Sequence, residues 1–479
     1  MTGRPNILLI FSDQHRGDVM GCTGNPVAQT PNLDRLASEG ATFTRCCTNS
    51  PLCMPARASL ISGQHVNQHG VWNNKLVADR HGPSHVRNMR DSGYHTAVIG
   101  KTHLYVHAGA GDTRAHVHEL EDWGYQDIHE LTGPRASANL GSAYTDYLAE
   151  KGLLETHRQY MSEYNKAMRD GILKFWDEQP CPLPAEDHLD SYTARTSADW
   201  VKNYNSDKPF YLQVCFPGPH DPFDSPAEYR AMYRPEDMPV DMMEWPSKPI
   251  PPYVEFVLRW SALNGMTREQ KQVMMTHYYG KVTLIDDGIG LILKALEERG
   301  MLDNTWIIYT SDHGEMLGDH FMCHKIVFYE SALKIPCIIR PPEGVNDSKS
   351  NALTDQLDIA ATILDIGGAE PLKQSDGRSL VQNIKAAPDS PDVHKGKEVV
   401  FSEVYGHSMV LTERYKMAID SNTHQPVELY DITDDPDELR NIVEEPSLEK
   451  VRQELQEQYL DHLLSHFDKE KYAAFQKSM

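Results

Sequence analysis

The sequence predicts an α/β fold: a large, mainly parallel sheet sandwiched by helices, with a smaller α+β subdomain at the C-terminal end. Short apolar, β-branched runs recur along the chain, segments with helical spacing lie between them, and the pattern changes after about residue 385. Strands buried on both faces read as continuous apolar runs, and their alternation with helices implies a doubly wound sheet.

The runs are Asn6 to Phe11, Thr96 to Ile99, Phe210 to Phe216, Thr305 to Thr310, Ile335 to Ile339 and Val399 to Phe401, all read as strands of that sheet. Thr30-Pro31-Asn32-Leu33-Asp34-Arg35-Leu36 supplies an N-cap residue and a first-turn proline, with Gly40 as a stop. Val282 to Arg299 has apolar residues at helical spacing and ends at Gly300. Residues 105–190, rich in charge, His and Tyr, and residues 217–255, rich in Pro, Asp and Met, read as insertions at the sheet's edge. The boundary separates a main α/β domain, residues 1–385, from a subdomain, residues 386–479, with a short strand, a hairpin around Arg414 to Gln425 and a helix from about Ser447.

Composition narrows the function. With 46 Lys+Arg against 69 Asp+Glu, the net charge is -23, the wrong sign for a nucleic-acid binder, and no basic patch offsets it. The apolar start, Asn6 to Phe11, is too short for an export signal or a membrane span, so the expectation is a cytoplasmic chain with no membrane partner. The eight cysteines lack paired spacing, so neither a zinc ribbon nor a disulfide framework is expected. Large acidic α/β enzymes with an extended C-terminal helix are often symmetric, which leaves a homo-oligomer open.

Four of the runs are followed at once by polar chemistry: Asp13-Gln14, Lys101 with His103, His220-Asp221, and Asp312-His313. Ligands of open α/β sheets bind outside the carboxyl ends of the strands, so these residues converge on a pocket suited to a metal ion and an anionic substrate. The plain alternative is that each merely starts a solvated loop. Ser50 to Gly63 reads as a loop entering a helix, with Pro55 in its first turn and Cys53 near its N-terminus. Free amides there and Arg57 one turn on favour an oxyanion; the alternative is a buried structural thiol.

Cys53-Met54-Pro55-Ala56-Arg57 resembles the C-x-P-x-R mark of the type I, formylglycine-dependent sulfatases of the alkaline phosphatase superfamily. Similar segments recur in order over nearly the whole chain, among them Gly100-Lys101-Thr102-His103, Pro219-His220-Asp221-Pro222-Phe223, Ser311-Asp312-His313-Gly314-Glu315, His324-Lys325 and Leu429-Tyr430-Asp431. The resemblance implies an alkaline phosphatase-like fold and conversion of Cys53 to formylglycine by a maturation enzyme. It implies one divalent metal held by Asp13, Gln14, Asp312, His313 and the modified Cys53. The commonest pattern has an Asp pair at Asp13-Gln14 and often Asn at His313. The imidazole suits Mn²⁺ or Zn²⁺, but Ca²⁺ is favoured because sulfatases with His at this place are also calcium enzymes.

The resemblance also implies roles. Arg57 and the metal would hold the aldehyde hydrate's attacking oxygen, Asp312 would accept its proton, and Lys101 and Lys325 would neutralise the sulfate oxygens. His220, assisted by Lys325, would protonate the leaving oxygen, and His103 would deprotonate the second hydroxyl so that sulfate departs. The expected substrate is a small-molecule or oligosaccharide sulfate ester. Phosphonate monoester and phosphodiester hydrolases of the same superfamily are the second reading, favoured by Ala56 before Arg57 and by the stretch Tyr229 to Pro239. Lys101 and His103 stand against it, since those enzymes tend to have neutral hydroxyl-bearing residues there. A non-enzymatic anion-binding protein is the third, opposed by the intact Cys53, Arg57 and carboxylates. Tyr105 and His107 are expected to touch substrate or merely to pack, while His65, His69, His95, His116, His118 and His277 are expected to be surface or locally bonded histidines.

Overall fold

The computed structural model describes residues 3–478 except 108, 110, 241, 262, 345–346, 387–389 and 467. Eight strands form the large sheet: β1 (Asn6–Asp13), β2 (Ala41–Cys47), β3 (His95–Gly100), β4 (Asp127–Glu130), β5 (Phe210–Pro219), β6 (Thr305–Ser311), β7 (Cys337–Arg340) and β8 (Ser348–Asp355). Their order is β4-β3-β5-β1-β6-β7-β2-β8, and all pairings are parallel except the two made by β7. Short helical pieces rather than a crossover helix connect β6 to β7, so the chain returns antiparallel.

β1, β5 and β6 are buried along their whole length, which explains their continuous apolar sequences. One face of the sheet packs on Leu60 and Ile61, Val86 and Met89, and Ile359 and Ile363 from three helices. The other packs on Leu33 and Leu36, Ala194 and Val201, and Ile285 and Ile292. The long helix on that second face, Arg268–Glu298, begins well before the predicted Val282. Its start is set by a capping box: Thr267 N donates to Gln270 Oε1 at 2.8 Å, and Gln270 N donates to Thr267 Oγ1 at 3.3 Å. Its first half is buried under the insertion around Phe175 and Tyr233, which erases the amphipathic spacing there.

Two assignments differ from the sequence reading. Val399 to Phe401 contributes not to the large sheet but to β9 (Val400–Val404), the edge of a four-stranded antiparallel sheet with β10 (His407–Leu411), β11 (Tyr415–Asp420) and β12 (Gln425–Asp431). The stretch at 105–190 is not wholly an insertion, because β4 within it forms the edge of the large sheet. The helix Glu449–His466 lays Leu455, Tyr459 and Leu463 on one face of the small sheet. The other face shares a core with Leu52, Met316 and Val327 near the strand ends. Among the described residues, no helix is long and apolar enough to cross a membrane.

Candidate active site

Register brings the predicted residues together. Ser12 of β1 pairs with Ser311 of β6, so Asp13 and Asp312 leave adjacent strands side by side. On the other flank, Gly100 of β3 pairs with Cys215 of β5, and Lys101 N donates to Cys215 O at 3.0 Å. Gly100 has a φ of 111°, and a Cβ there would lie 1.9 Å from the Cys215 carbonyl oxygen, so only glycine permits this exit. Gln14 takes a φ of 71°, and its amide donates to Asp312 Oδ1 at 2.9 Å.

Cys53 is the first residue of the fully buried helix Cys53–Ser62, whose entry is held by Met54 N donating to Asn74 Oδ1 at 3.0 Å. Its Sγ lies 3.2 Å from His313 Nε2 and 3.7 Å from Asp13 Oδ1. One turn on, Arg57 bridges the two carboxylates, with Nε on Asp312 Oδ2 at 2.9 Å and Nη2 on Asp13 Oδ2 at 3.0 Å. Nη1 is held by the carbonyls of Lys101 and Thr102. Lys101 Nζ reaches Asp13 Oδ2 at 2.5 Å. Lys325 donates to the amide oxygen of Gln14, whose Nε2 donates to Glu315.

This arrangement sets protonation states. Burial pushes the Asp13 carboxyl up, but Lys101, His220, Arg57 and Lys325 together hold it well below the usual carboxylate range. Burial, with Asp13 next, pushes the Cys53 thiol up to about 11, so it is neutral at pH 7. Burial, reinforced by Lys101 and His107, holds His103 well below the usual imidazole value. Burial also lowers His220, although Asp221 opposes it. His220 Nδ1 donates to the Asp221 carbonyl at 2.7 Å. His313 Nδ1 donates to the Gly314 carbonyl at 2.8 Å, which leaves Nε2 bare toward Cys53.

Asp13, Cys53, Asp312 and His313 each offer one donor atom, all within 4.8 Å of one another. Lys101, His103 and His220 line a cavity of about 350 Å³ beside that cluster. Of the two suggested substrate contacts, His107 lines the cavity, whereas Tyr105 stacks on His116 at 4.5 Å. Other histidines are locally bonded: His69 to Ser59 Oγ, His95 to Asp127 and His277 to the Phe175 carbonyl. Sequence reasoning gave no role to Glu315, which anchors Gln14 although it lies in the segment Ser311 to Glu315, and missed Asn74, which fixes the entry to the Cys53 helix and has no local signal.

The family model for "Sulfatase" matches residues 5–369, and that for the C-terminal part of N-sulphoglucosamine sulphohydrolase matches residues 318–464. An arylsulfatase of Clostridium perfringens is 30% identical over 451 residues, spanning 92% of this chain and 90% of that protein. A multifunctional alkaline phosphatase superfamily protein of Trinickia caryophylli is 29% identical, over 97% of this chain and 96% of its own length. The crystal structure of a phosphonate monoester hydrolase of Agrobacterium radiobacter superposes with a TM-score of 0.81 at 25% identity, covering 97% of this chain and 96% of that one. The chain belongs to the sulfatase family, sulfuric ester hydrolases of the alkaline phosphatase superfamily.

Proposed function

We propose that the protein hydrolyses a sulfate monoester to an alcohol and inorganic sulfate, using formylglycine made from Cys53 and a divalent cation, Ca²⁺. The observation that carries this reading is the meeting of Cys53, at a helix N-terminus, with Asp13, Asp312 and His313, bridged by Arg57. The neutral thiol argues against a thiolate nucleophile and is consistent with modification. Cys53 is 1% exposed, so a formylglycine-generating enzyme would act on the chain before it folds.

The donors suit a cation: two carboxylates, a bare imidazole nitrogen and the oxygen expected at a modified position 53. Gln14 would be a fifth ligand and would share its amide oxygen with Lys325. When bound, the cation would polarise the ester and balance charge on its oxygens. Arg57 and Lys101 keep Asp13 ionised as a ligand. Lys101 and Lys325, bonded to Asp13 and Gln14, would stabilise sulfate oxygens as charge redistributes. An anionic ester raises the proton affinity of a neighbouring imidazole, which would recharge His220 and let it protonate the leaving oxygen. His103, neutral and with Nδ1 unpartnered, is placed in this reading as the base that takes the second hydrate proton, so that sulfate is expelled.

The second reading, a phosphonate monoester or phosphodiester hydrolase, draws on the likeness to the Agrobacterium radiobacter enzyme. A hydrolysis panel of aryl sulfate, phosphate monoester, phosphate diester and phosphonate ester, run with mass spectrometry of the peptide containing Cys53, tests both. The expected result is an aldehyde at position 53, highest efficiency on the sulfate, and loss of nearly all turnover in Cys53→Ala. A tenfold or greater preference for the phosphonate or diester, about 1.4 kcal/mol in transition-state binding, favours the second reading. An unmodified thiol in protein made beside the maturation enzyme refutes the proposed nucleophile.

A further inference from the structure

The cavity against Lys101, His103 and His220 is also lined by residues to which the proposed mechanism gives no role, Gly133 to Ala136, Asn139, Leu140 and Asn165. Arg135 is one of them and is held from both ends. Its Nε donates to Asn165 Oδ1 at 3.3 Å, and Asn165 Nδ2 donates to its carbonyl at 2.9 Å. Nη1 lies 3.4 Å from Asp221 Oδ2, yet the side chain stays 37% exposed. The Asp221 charge is shared already: His220 Nδ1 lies 3.2 Å and His324 Nδ1 3.4 Å from Oδ1, and Tyr164 donates to Oδ2 at 3.2 Å. The remaining guanidinium donors are thus preorganised and uncommitted.

A second observation is the charge of the lining. His107 lines the cavity as well, with its buried Nε2 3.7 Å from Glu130 Oε1. No carboxylate lines the cavity among the described residues, while Lys101 and Arg135 both do. Its volume of about 350 Å³ suits a single ring.

We propose that this cavity is the subsite for the alcohol half of the substrate, and that it takes a ring bearing a second anionic group. Arg135 receives that group, a carboxylate or a second sulfate. The inference rests on the sulfatase reading and adds a substrate class to it: a doubly anionic ester, in preference to a neutral or choline-like one.

The test measures binding by calorimetry to the Cys53→Ala protein, which does not turn over, at constant ionic strength. Two pairs of probes separate the sources of the anion: phenyl sulfate against 4-(sulfooxy)benzoate, and N-acetylglucosamine 6-sulfate, whose amide is neutral, against glucosamine 2-N,6-O-disulfate. The expected result is a preference of about tenfold or more for the doubly anionic member of at least one pair. Arg135→Gln should reduce that ratio to near one, and Arg135→Lys should restore part of it. Taking a ratio cancels any effect of Arg135 on His220 through Asp221. No preference, or a preference unchanged in Arg135→Gln, overturns the proposal. The failure of the sulfatase reading is told apart by the Cys53 protein, which would then hydrolyse none of the four sulfates.

Discussion

Replacing Arg57 by alanine probes the electrostatic hinge of the site. The guanidinium, 3% exposed, pairs with Asp312 at 2.9 Å and with Asp13 at 3.0 Å. Removing one partner of a buried ion pair costs about 3–5 kcal/mol. Doubling that figure for two carboxylates is unwarranted. Asp13 keeps Lys101, and Asp312 keeps the amides of Gln14 and His313, each at 2.9 Å. The lost contact with the Phe11 ring, buried and 5.0 Å from the guanidinium carbon, adds about 2 kcal/mol. The expected destabilisation is therefore about 6 kcal/mol at pH 7, read by urea unfolding of chelator-treated protein. Its pH dependence follows from Asp13, whose folded-state pKa lies below the unfolded value. Such a group contributes fully above about pH 4 and loses its contribution as pH falls through the folded pKa, so the gap between wild type and variant narrows in acid. A gap below about 1 kcal/mol at pH 7, or one that widens on acidification, refutes the reasoning.

Two further perturbations test the proposed roles. His220→Gln should slow an alkyl sulfate by about 10²–10⁴-fold but 4-nitrophenyl sulfate by less than about tenfold, because a stable phenolate needs no proton; equal losses would assign His220 to binding instead. Dialysis against a chelator should abolish turnover and lower the melting temperature, with Ca²⁺ restoring both better than Zn²⁺ and contributing about 2.7 kcal/mol at a hundredfold excess over Kd; a melting curve indifferent to every divalent ion would remove the cation from the mechanism.

What could be read from the sequence follows from which forces act locally. β1, β5 and β6 announce themselves because burial on both faces demands unbroken apolar runs. β2 does not, since ATFTRCC interposes two threonines and Arg45, nor does the edge strand β8, whose Lys349 and Asn351 face solvent. Tertiary pairing, not periodicity, makes them strands. The residues around Cys53 were legible for a related reason: each follows a strand end or begins a helix, so backbone position and side-chain chemistry coincide. Arg135 and Asn165 have no such marker. Arg135 reaches Asp221, and Asn165 reaches Arg135, only when a segment read as an insertion folds over the strand ends.

The choice between sulfate and phosphonate cannot lie in net charge, because a sulfate monoester, a phosphonate monoester and a phosphodiester each carry one negative charge near pH 7. They differ in what surrounds the central atom. The sulfate presents three terminal oxygens, whereas the other two present two oxygens and a carbon-bearing substituent that needs an apolar recess. In this chain, Lys101 and His103 stand beside the cavity, where Lys101 already bonds Asp13 and His103 Nδ1 has no partner. A third sulfate oxygen can accept from the Lys101 ammonium, while an alkyl or aryl substituent would desolvate that charge without compensation, which is unfavourable. If the sulfatase reading holds, the third oxygen would meet Lys101, and the alcohol's own ring would lie on the Arg135 side of the cavity, as proposed above.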